Sequence, residues 1–271
     1  MYSKFKLTQK YFQYFVTASN GKGHGIHSPF VFDFLSNVLN DQSIYPYYDL
    51  IENLRYELLH DRSMLEAADF GAGSAVSQSK KRTVASIAKH SAKSRKMGQL
   101  LFRISRFFQP DTILELGTSL GLSTAYLASG NPLASVITLE GAAAIASKAE
   151  QNLAGLQLSN VELVTGNFDH SLPVILSSLQ SSAHPRRIDL AFIDGNHRKE
   201  PSLRYFDLLV PSMSDASLII FDDIHWSLEM EEAWIAIKKD SRVLLSIDLF
   251  FLGLVFFRSE FKVPQHFTIR F

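Results

Sequence analysis

The sequence predicts an α/β fold: a Rossmann-like, doubly wound sheet, mostly parallel, with helices on both faces. Three observations carry that prediction. From residue 112 onward, strand-like apolar runs alternate with helical segments, the pattern of a parallel sheet covered on both sides. The first run leads straight into a glycine turn and a helix start, residues 112–124 reading TILELGTSLGLST. The last two runs, VLLSIDL and FLGLVFF, lie too close in sequence for a crossover helix and should pair as an antiparallel hairpin.

Composition bounds the rest. A chain of 271 residues with 46% hydrophobic and 20% charged residues has ample material for a core. A net charge of zero gives no global drive toward nucleic acid or a membrane surface. The absence of cysteine rules out disulfides, thiolate nucleophiles and cysteine metal sites, and fits a reducing compartment. The first fifteen residues interleave charges and aromatics instead of forming a secretory apolar core. The longest apolar run, residues 243–257, contains Asp248 and is too short to span a bilayer. A cytoplasmic protein without a membrane partner is expected.

Residues 1–95 read as an N-terminal helical cap. Pro29 suits the first turn of a helix, and Phe30, Phe34, Leu35 and Val38 follow at helical spacing. A second helix is indicated by Leu50, Ile51, Leu54, Leu58 and Leu59. Between residues 21 and 29, three glycines and a proline mark a loop, whose His24 and His27 read more simply as solvated positions than as site residues. The DFGAGS piece at residues 69–74 is a second glycine loop, but its flanks are poor and it reads as a turn. No acid occurs from residue 71 to 110, while nine lysines and arginines do. Because Leu100, Leu101, Ile104, Phe107 and Phe108 recur among them at helical spacing, the stretch reads as a helix with a solvated basic face. No stacking platform for bases accompanies it, which argues against a nucleic-acid partner.

Residues 96–258 then form the ligand-binding domain, with strand-like runs beginning at Thr112, Ser135, Val161, Ile188, Ala216, Val243 and Phe251. Residues 259–271 form a C-terminal tail in which HFTIRF alternates with period two and can add an edge strand.

In such sheets the ligand lies beyond the carboxyl ends of the strands. The first strand delivers Glu115 and the loop of Gly117, Thr118, Ser119 and Gly121, with Ser123 opening the helix. The second ends at Glu140-Gly141, twenty-three residues after Gly117, near the offset at which a carboxylate grips ribose hydroxyls. The third ends at Asn167-Phe168, suited to an adenine edge and ring face. The fourth ends at Asp194-Gly195-Asn196-His197, and the fifth at Asp222-Asp223-Ile224-His225.

A nicotinamide dinucleotide site needs G-x-G-x-x-G against its pyrophosphate. Here the pattern is Glu-x-Gly-x-x-x-Gly, and an acid before the turn opposes a pyrophosphate while suiting a ligand with a positive amine. That choice favours S-adenosylmethionine over the NAD-dependent oxidoreductase alternative. A non-catalytic binding module with the same fold is the other alternative.

The segment MGQLLFRISRFFQPDTILELGTSLGLST and the strand end VITLE resemble class I S-adenosylmethionine-dependent methyltransferases, closest to the catechol-type O-methyltransferases. FIDGNHRKE and IIFDDIHW are similar to the related macrolide and sugar O-methyltransferases. The resemblance spans residues 97–258 and implies a seven-stranded sheet with an antiparallel last strand. It implies Glu115, Gly117, Thr118, Ser119, Gly121, Ser123, Glu140, Gly141, Asn167, Phe168 and Asp194 as donor contacts. It further implies Asp194, Asp222 and Asp223 as ligands of a divalent ion, usually Mg2+, that binds the acceptor hydroxyls. A cap of the following helix is the competing role for Asp222-Asp223. His197 stands where the catechol enzymes carry a lysine base, so His197 and His225 are candidate proton acceptors beside Asp194. Trp226 and Tyr205 are candidate pocket walls, whereas Trp234 reads as core. The acceptor is a small molecule, and a homo-oligomer is left open.

Overall fold

The computed structural model describes residues 1–23, 26–66, 81–181 and 184–271. His24 and the DFGAGS loop lie outside the described residues.

In chain order, helix α1 (Lys4–Thr17) starts where the Ser3 hydroxyl accepts the Lys6 N–H. Helix α2 (Pro29–Phe34) opens on Pro29 behind a Ser28 cap, since proline has no N–H to lose in a first turn. A π-helical turn over Leu35–Leu39 continues it. Helix α3 (Pro46–His60) again opens on proline. Short strands β1 (Met64–Glu66) and β2 (Lys81–Thr83) pair antiparallel and precede α4 (Val84–Ser91). Helix α5 (Arg95–Phe108) buries Leu100, Leu101 and Ile104, the apolar face expected within the basic stretch.

The alternating region then runs β3 (Thr112–Leu116), α6 (Leu122–Gly130), β4 (Ser135–Glu140), α7 (Ala143–Gly155), β5 (Val161–Thr165), α8 (Phe168–Ser181) and β6 (Ile188–Ile193). It continues with α9 (Lys199–Leu209), β7 (Met213–Asp222), α10 (Leu228–Lys239), β8 (Leu245–Asp248), β9 (Leu252–Phe256) and β10 (Gln265–Thr268). The result is an α/β fold with a mostly parallel sheet of eight strands. No helix among the described residues is long and apolar enough to cross a membrane.

The chain forms two compact units, Gln42–Arg186 and Met1–Asp41 with Arg187–Phe271. The residues read as a helical cap therefore divide, 1–41 falling in one unit and 42–95 in the other.

In the Gln42–Arg186 unit, β3, β4 and β5 pair in parallel, with Glu115 opposite Thr138 and Glu140 opposite Thr165. Strand β3 is buried along its length, as a strand covered on both faces must be. In the other unit, β6 and β7 are parallel while β9 runs antiparallel to both β7 and β8, forming the expected hairpin. The strand count is eight instead of seven because the C-terminal segment supplies β10, parallel to β8. Trp234 is core, with its indole N–H donating to Asp248 at 2.9 Å.

Candidate active site

The glycine turn after β3 is tied to the neighbouring strand by its backbone. Gly117 (φ 107°) and Gly121 (φ 84°) adopt conformations that a side chain disfavours. A Cβ on Gly121 would also come within 3.2 Å of Leu153. The N–H groups of Gly117 and Thr118 both donate to the Leu139 carbonyl, at 2.9 and 3.1 Å. Ser119, also left-handed (φ 48°), directs its N–H to Glu140 Oε2 at 2.9 Å. Glu140 Oε1 accepts the Ala142 N–H at the same distance. The carboxylate that ends β4 is thus gripped by two backbone donors, one from each adjacent loop.

Glu115 is fully buried inside β3. Thr138, opposite it in register, donates its hydroxyl to Oε2 at 2.6 Å, and Thr124 from the first turn of α6 donates to the same oxygen. Thr118 Oγ1 stands 2.6 Å from Thr138 Oγ1 and extends the chain of hydroxyls. Glu115 Oε1 has no hydrogen-bond partner among the described residues. Burial pushes its pKa up, against the hydroxyls of Thr124, Thr138 and Ser123, which favour the ionised form. The roles of Thr124 and Thr138 are not marked locally in the sequence, because one lies on α6 and the other on β4 and they meet Glu115 only in the fold.

At the end of β5, the Gly166 N–H donates to the Glu140 carbonyl at 2.9 Å. Asn167 Oδ1 caps α8 by accepting the Asp169 N–H at 2.8 Å, while Phe168 begins that helix half-buried. The predicted donor residues Glu115, Gly117, Thr118, Ser119, Gly121, Ser123, Glu140, Gly141, Asn167 and Phe168 therefore all lie at the carboxyl ends of three adjacent parallel strands.

The other unit carries the acidic residues. At the ends of β6 and β7, Asp194, His197 and Asp222 each offer a ligand atom within 4.8 Å of the others. His197 Nε2 lies 3.5 Å from Asp194 Oδ1. Asp222 is buried, and Asp194 and His197 are half-buried. Asp223 is not in this group, and its backbone is left-handed (φ 53°), with its N–H bound to the Phe251 carbonyl at 2.7 Å. Asp222 is the last residue of extended β7 and Asp223 turns out of it, so the two neighbours differ in backbone conformation. Two carboxylates and an imidazole fit a divalent ion that accepts nitrogen as well as oxygen, such as Mn2+, better than they fit Mg2+.

His225 sits in a different setting. Its Nδ1 is 3.0 Å from Glu231 Oε1 and its Nε2 is 3.0 Å from Asp248 Oδ2. Its ring stacks on Phe250 with centroids 5.2 Å apart. Burial alone lowers the imidazole pKa, but the Asp248 and Glu231 carboxylates outweigh it and the net direction is up. With a carboxylate at each nitrogen the protonated ring can donate from both, and in that form it has no lone pair to receive an acceptor's proton. Asp248 and Glu231 are held below the ordinary carboxylate range despite burial, through hydrogen bonds that include His225. The sequence signal for this network was Asp248, an acid stranded in an otherwise apolar run. Tyr205 is buried, and its hydroxyl accepts from Asn196 Nδ2 at 3.2 Å.

Residues 114–224 match a family model described as a methyltransferase domain. A catechol O-methyltransferase from Niastella koreensis is 33% identical over 130 residues, which is 47% of this chain and 55% of that protein. The match thus spans about half the length of that curated relative. Among solved structures, an SAH-bound methyltransferase from Podospora anserina aligns with a TM-score of 0.58 at 15% identity, over 86% of this chain and 97% of the other. An O-methyltransferase from Bacillus cereus in complex with SAH aligns with a TM-score of 0.54 at 20% identity, over 83% and 96%. The resemblance to class I S-adenosylmethionine-dependent methyltransferases drawn from the glycine turn and strand ends is borne out, and the fold is theirs.

Proposed function

We propose that this chain is an S-adenosylmethionine-dependent methyltransferase that methylates a hydroxyl oxygen of a small molecule. The observation that carries the reading is Glu140. Its carboxylate is pre-set by the Ser119 and Ala142 N–H groups at the end of β4, where it can accept both ribose hydroxyls without rearranging. The Gly117–Gly121 turn would lie against the methionine portion of the donor in this reading. Glu115, buried behind that turn with Oε1 lacking a partner among the described residues, is the acid that would face an ammonium, whose positive charge favours the ionised carboxylate. Asn167 and Phe168 are the adenine contacts in this reading.

In the reaction, the acceptor oxygen attacks the sulfonium methyl carbon. The carbon–sulfur bond breaks with its electron pair moving to sulfur, and S-adenosylhomocysteine leaves. Alignment of donor and acceptor supplies most of the acceleration, because the sulfonium is already a good leaving group. The hydroxyl proton goes to His197, whose Nε2 faces Asp194 and gains from that carboxylate as it becomes charged. Asp194 is therefore assigned to the acceptor step, and Asp222 to holding the acceptor.

A second reading is favoured by the proximity of the Asp194, His197 and Asp222 ligand atoms. These three residues would hold a divalent ion, which when bound lowers the pKa of a coordinated hydroxyl. His197 would then be a ligand and not a base. A cysteine-free chain suits the reducing cytoplasm as the place of action. Nothing favours hydride transfer with a nicotinamide.

The test is transfer of a labelled methyl group from S-adenosylmethionine to a panel of catechols, phenols and sugars. Activity on at least one hydroxylated acceptor, lost in Asp194→Ala, supports the reading. No transfer to any of them, in a protein that also fails to bind S-adenosylhomocysteine, contradicts it. Chelation followed by addition of Mn2+ or Mg2+ separates the two roles of His197.

A further inference from the structure

Net neutrality conceals a local imbalance. Residues 1–32 contain four lysines and no acid. Helix α1, in this segment, is pinned along one face. Tyr14 and Ala18 pack with Leu7 against Phe250, and the Tyr14 hydroxyl donates to the Ile269 carbonyl. The Tyr2 N–H donates to the Trp226 carbonyl at 3.0 Å. The Tyr2 hydroxyl and Lys10 Nζ both bind Glu231, at 2.7 and 2.8 Å. These ties hold the helix in place and fix which side faces outward.

That outward side is apolar. Phe5 is 81% exposed, Phe12 68%, Val16 61% and Phe15 44%. Spacings of seven and four put Phe5, Phe12 and Val16 on one helical face, with Phe15 at its border. The patch continues off the helix, because the Tyr11 ring contacts both Phe15 and Phe251, at centroid distances of 6.5 and 6.0 Å. Phe251 is itself partly exposed. Cations frame it: Lys4 and Lys6 are exposed on α1, and the Arg270 guanidinium lies 4.3 Å over the Phe15 ring.

We propose that α1 and Phe251 form a docking surface for an anionic phospholipid bilayer. Scattered exposed apolar residues are ordinary, but a contiguous aromatic patch on a helix already fixed in place is not. The amphipathic helix with lysines around aromatic residues is the composition that lies in a bilayer interface, its rings below the headgroups and its ammonium groups among the phosphates. Charge decides between this occupant and a second copy of the chain. Two α1 faces brought together would oppose Lys4, Lys6 and Arg270 with their own like charges, whereas an anionic lipid surface neutralises them. Docking of this kind is peripheral and reversible and needs no spanning segment, so it is compatible with the absence of any membrane-length helix among the described residues.

The experiment is co-sedimentation of the full chain with vesicles of phosphatidylcholine alone and of phosphatidylcholine containing about one-third phosphatidylglycerol. Wild type should bind the anionic vesicles and not the neutral ones, and binding should weaken with added salt. Phe5→Ser combined with Phe12→Ser should lower the partition coefficient at least roughly tenfold, given the apolar area withdrawn from the interface. Lys4→Glu with Lys6→Glu should also weaken it. Because all four side chains are exposed, the melting temperature should not move in either variant, so lost binding is not lost folding. Absence of wild-type binding to anionic vesicles would overturn the proposal, as would equal binding by the double phenylalanine variant. A dimer in sedimentation equilibrium that the phenylalanine substitutions dissociate would assign the face to a second copy and would overturn it too.

Discussion

Glu140 and Asp222 both end a parallel strand at its carboxyl edge, one in each compact unit, and they are held by different means. Glu140 is gripped by two backbone N–H groups of flanking loops, so its position follows from the chain path and needs only an acid at that point. Asp222 is grouped with the side chains of Asp194 and His197, which flank a left-handed Asn196 (φ 57°) in the loop after β6. A site fixed by backbone tolerates little change in the loop and much change around it. A site fixed by side chains is the reverse, and its neighbours in sequence can be uninvolved.

That contrast ranks the expected effects. The largest should come from Gly121→Val, which places a β-branched side chain in a left-handed conformation against Leu153. It should cost about 3 kcal/mol or more of stability by denaturant titration and abolish donor binding. A fully stable variant would show that the turn is not a rigid frame.

Next comes the pair of adjacent aspartates. Asp222→Ala should lower kcat/KM on an identified acceptor by roughly a hundredfold, and Asp223→Ala by only a few-fold. Equal losses would mean that both carboxylates reach the acceptor and that the two units hold their sites alike.

His225→Gln should cost about 2 kcal/mol, the worth of charge-assisted hydrogen bonds to Asp248 and Glu231, while leaving S-adenosylhomocysteine affinity unchanged. The pH dependence has a definite sign. The folded-state pKa of His225 is raised, so its contribution is complete below the unfolded imidazole pKa of about 6.5 and fades as pH rises through the higher folded value. Asp248 and Glu231 have lowered pKa values, so their contributions are complete above the unfolded carboxylate pKa of about 4 and fade as pH falls through the folded ones. The network is strongest between those limits. The stability deficit of the variant, measured by thermal melts, should therefore shrink from pH 7 toward pH 10.

The smallest effect should be that of Glu115→Gln. Burial raises the carboxyl pKa, so ionisation of Glu115 destabilises the fold increasingly as pH climbs above the unfolded carboxylate range. The amide removes that slope, and the variant's melting temperature should gain on wild type between pH 5 and 8 by no more than about 1 kcal/mol equivalent. Donor affinity should fall at the same time if the charge serves an ammonium.

How much of this was legible in the sequence follows from the same contrast. The parallel strands, the hairpin of β8 and β9, the glycine turn and Glu140 are all recorded locally, as apolar runs, glycine spacing and an acid at a fixed offset. The C-terminal alternation even marked β10. Side-chain convergence is not local. Asp222 and Asp223 are indistinguishable in a string of letters, and what sets them apart is the chain path, one buried at the end of β7 and the other left-handed just beyond it. His225 looked equivalent to His197, and what distinguishes it is Asp248, a neighbour only across the sheet. The helical stretch before residue 96 looked like one cap because nothing local records that residues 1–41 fold with the C-terminal strands. Their lysines were equally hidden in a chain whose charges sum to zero.

Everything proposed for the reaction rests on donor binding at the Glu140 end of β4. Calorimetric titration of S-adenosylhomocysteine into wild type, Glu140→Ala and Asp222→Ala tests it directly. Wild type should bind, Glu140→Ala should lose about a hundredfold or more in affinity from the removed ribose contacts, and Asp222→Ala should bind nearly as wild type does. Wild-type protein that binds no S-adenosylhomocysteine, or a Glu140→Ala variant that binds it as well as wild type does, would contradict it.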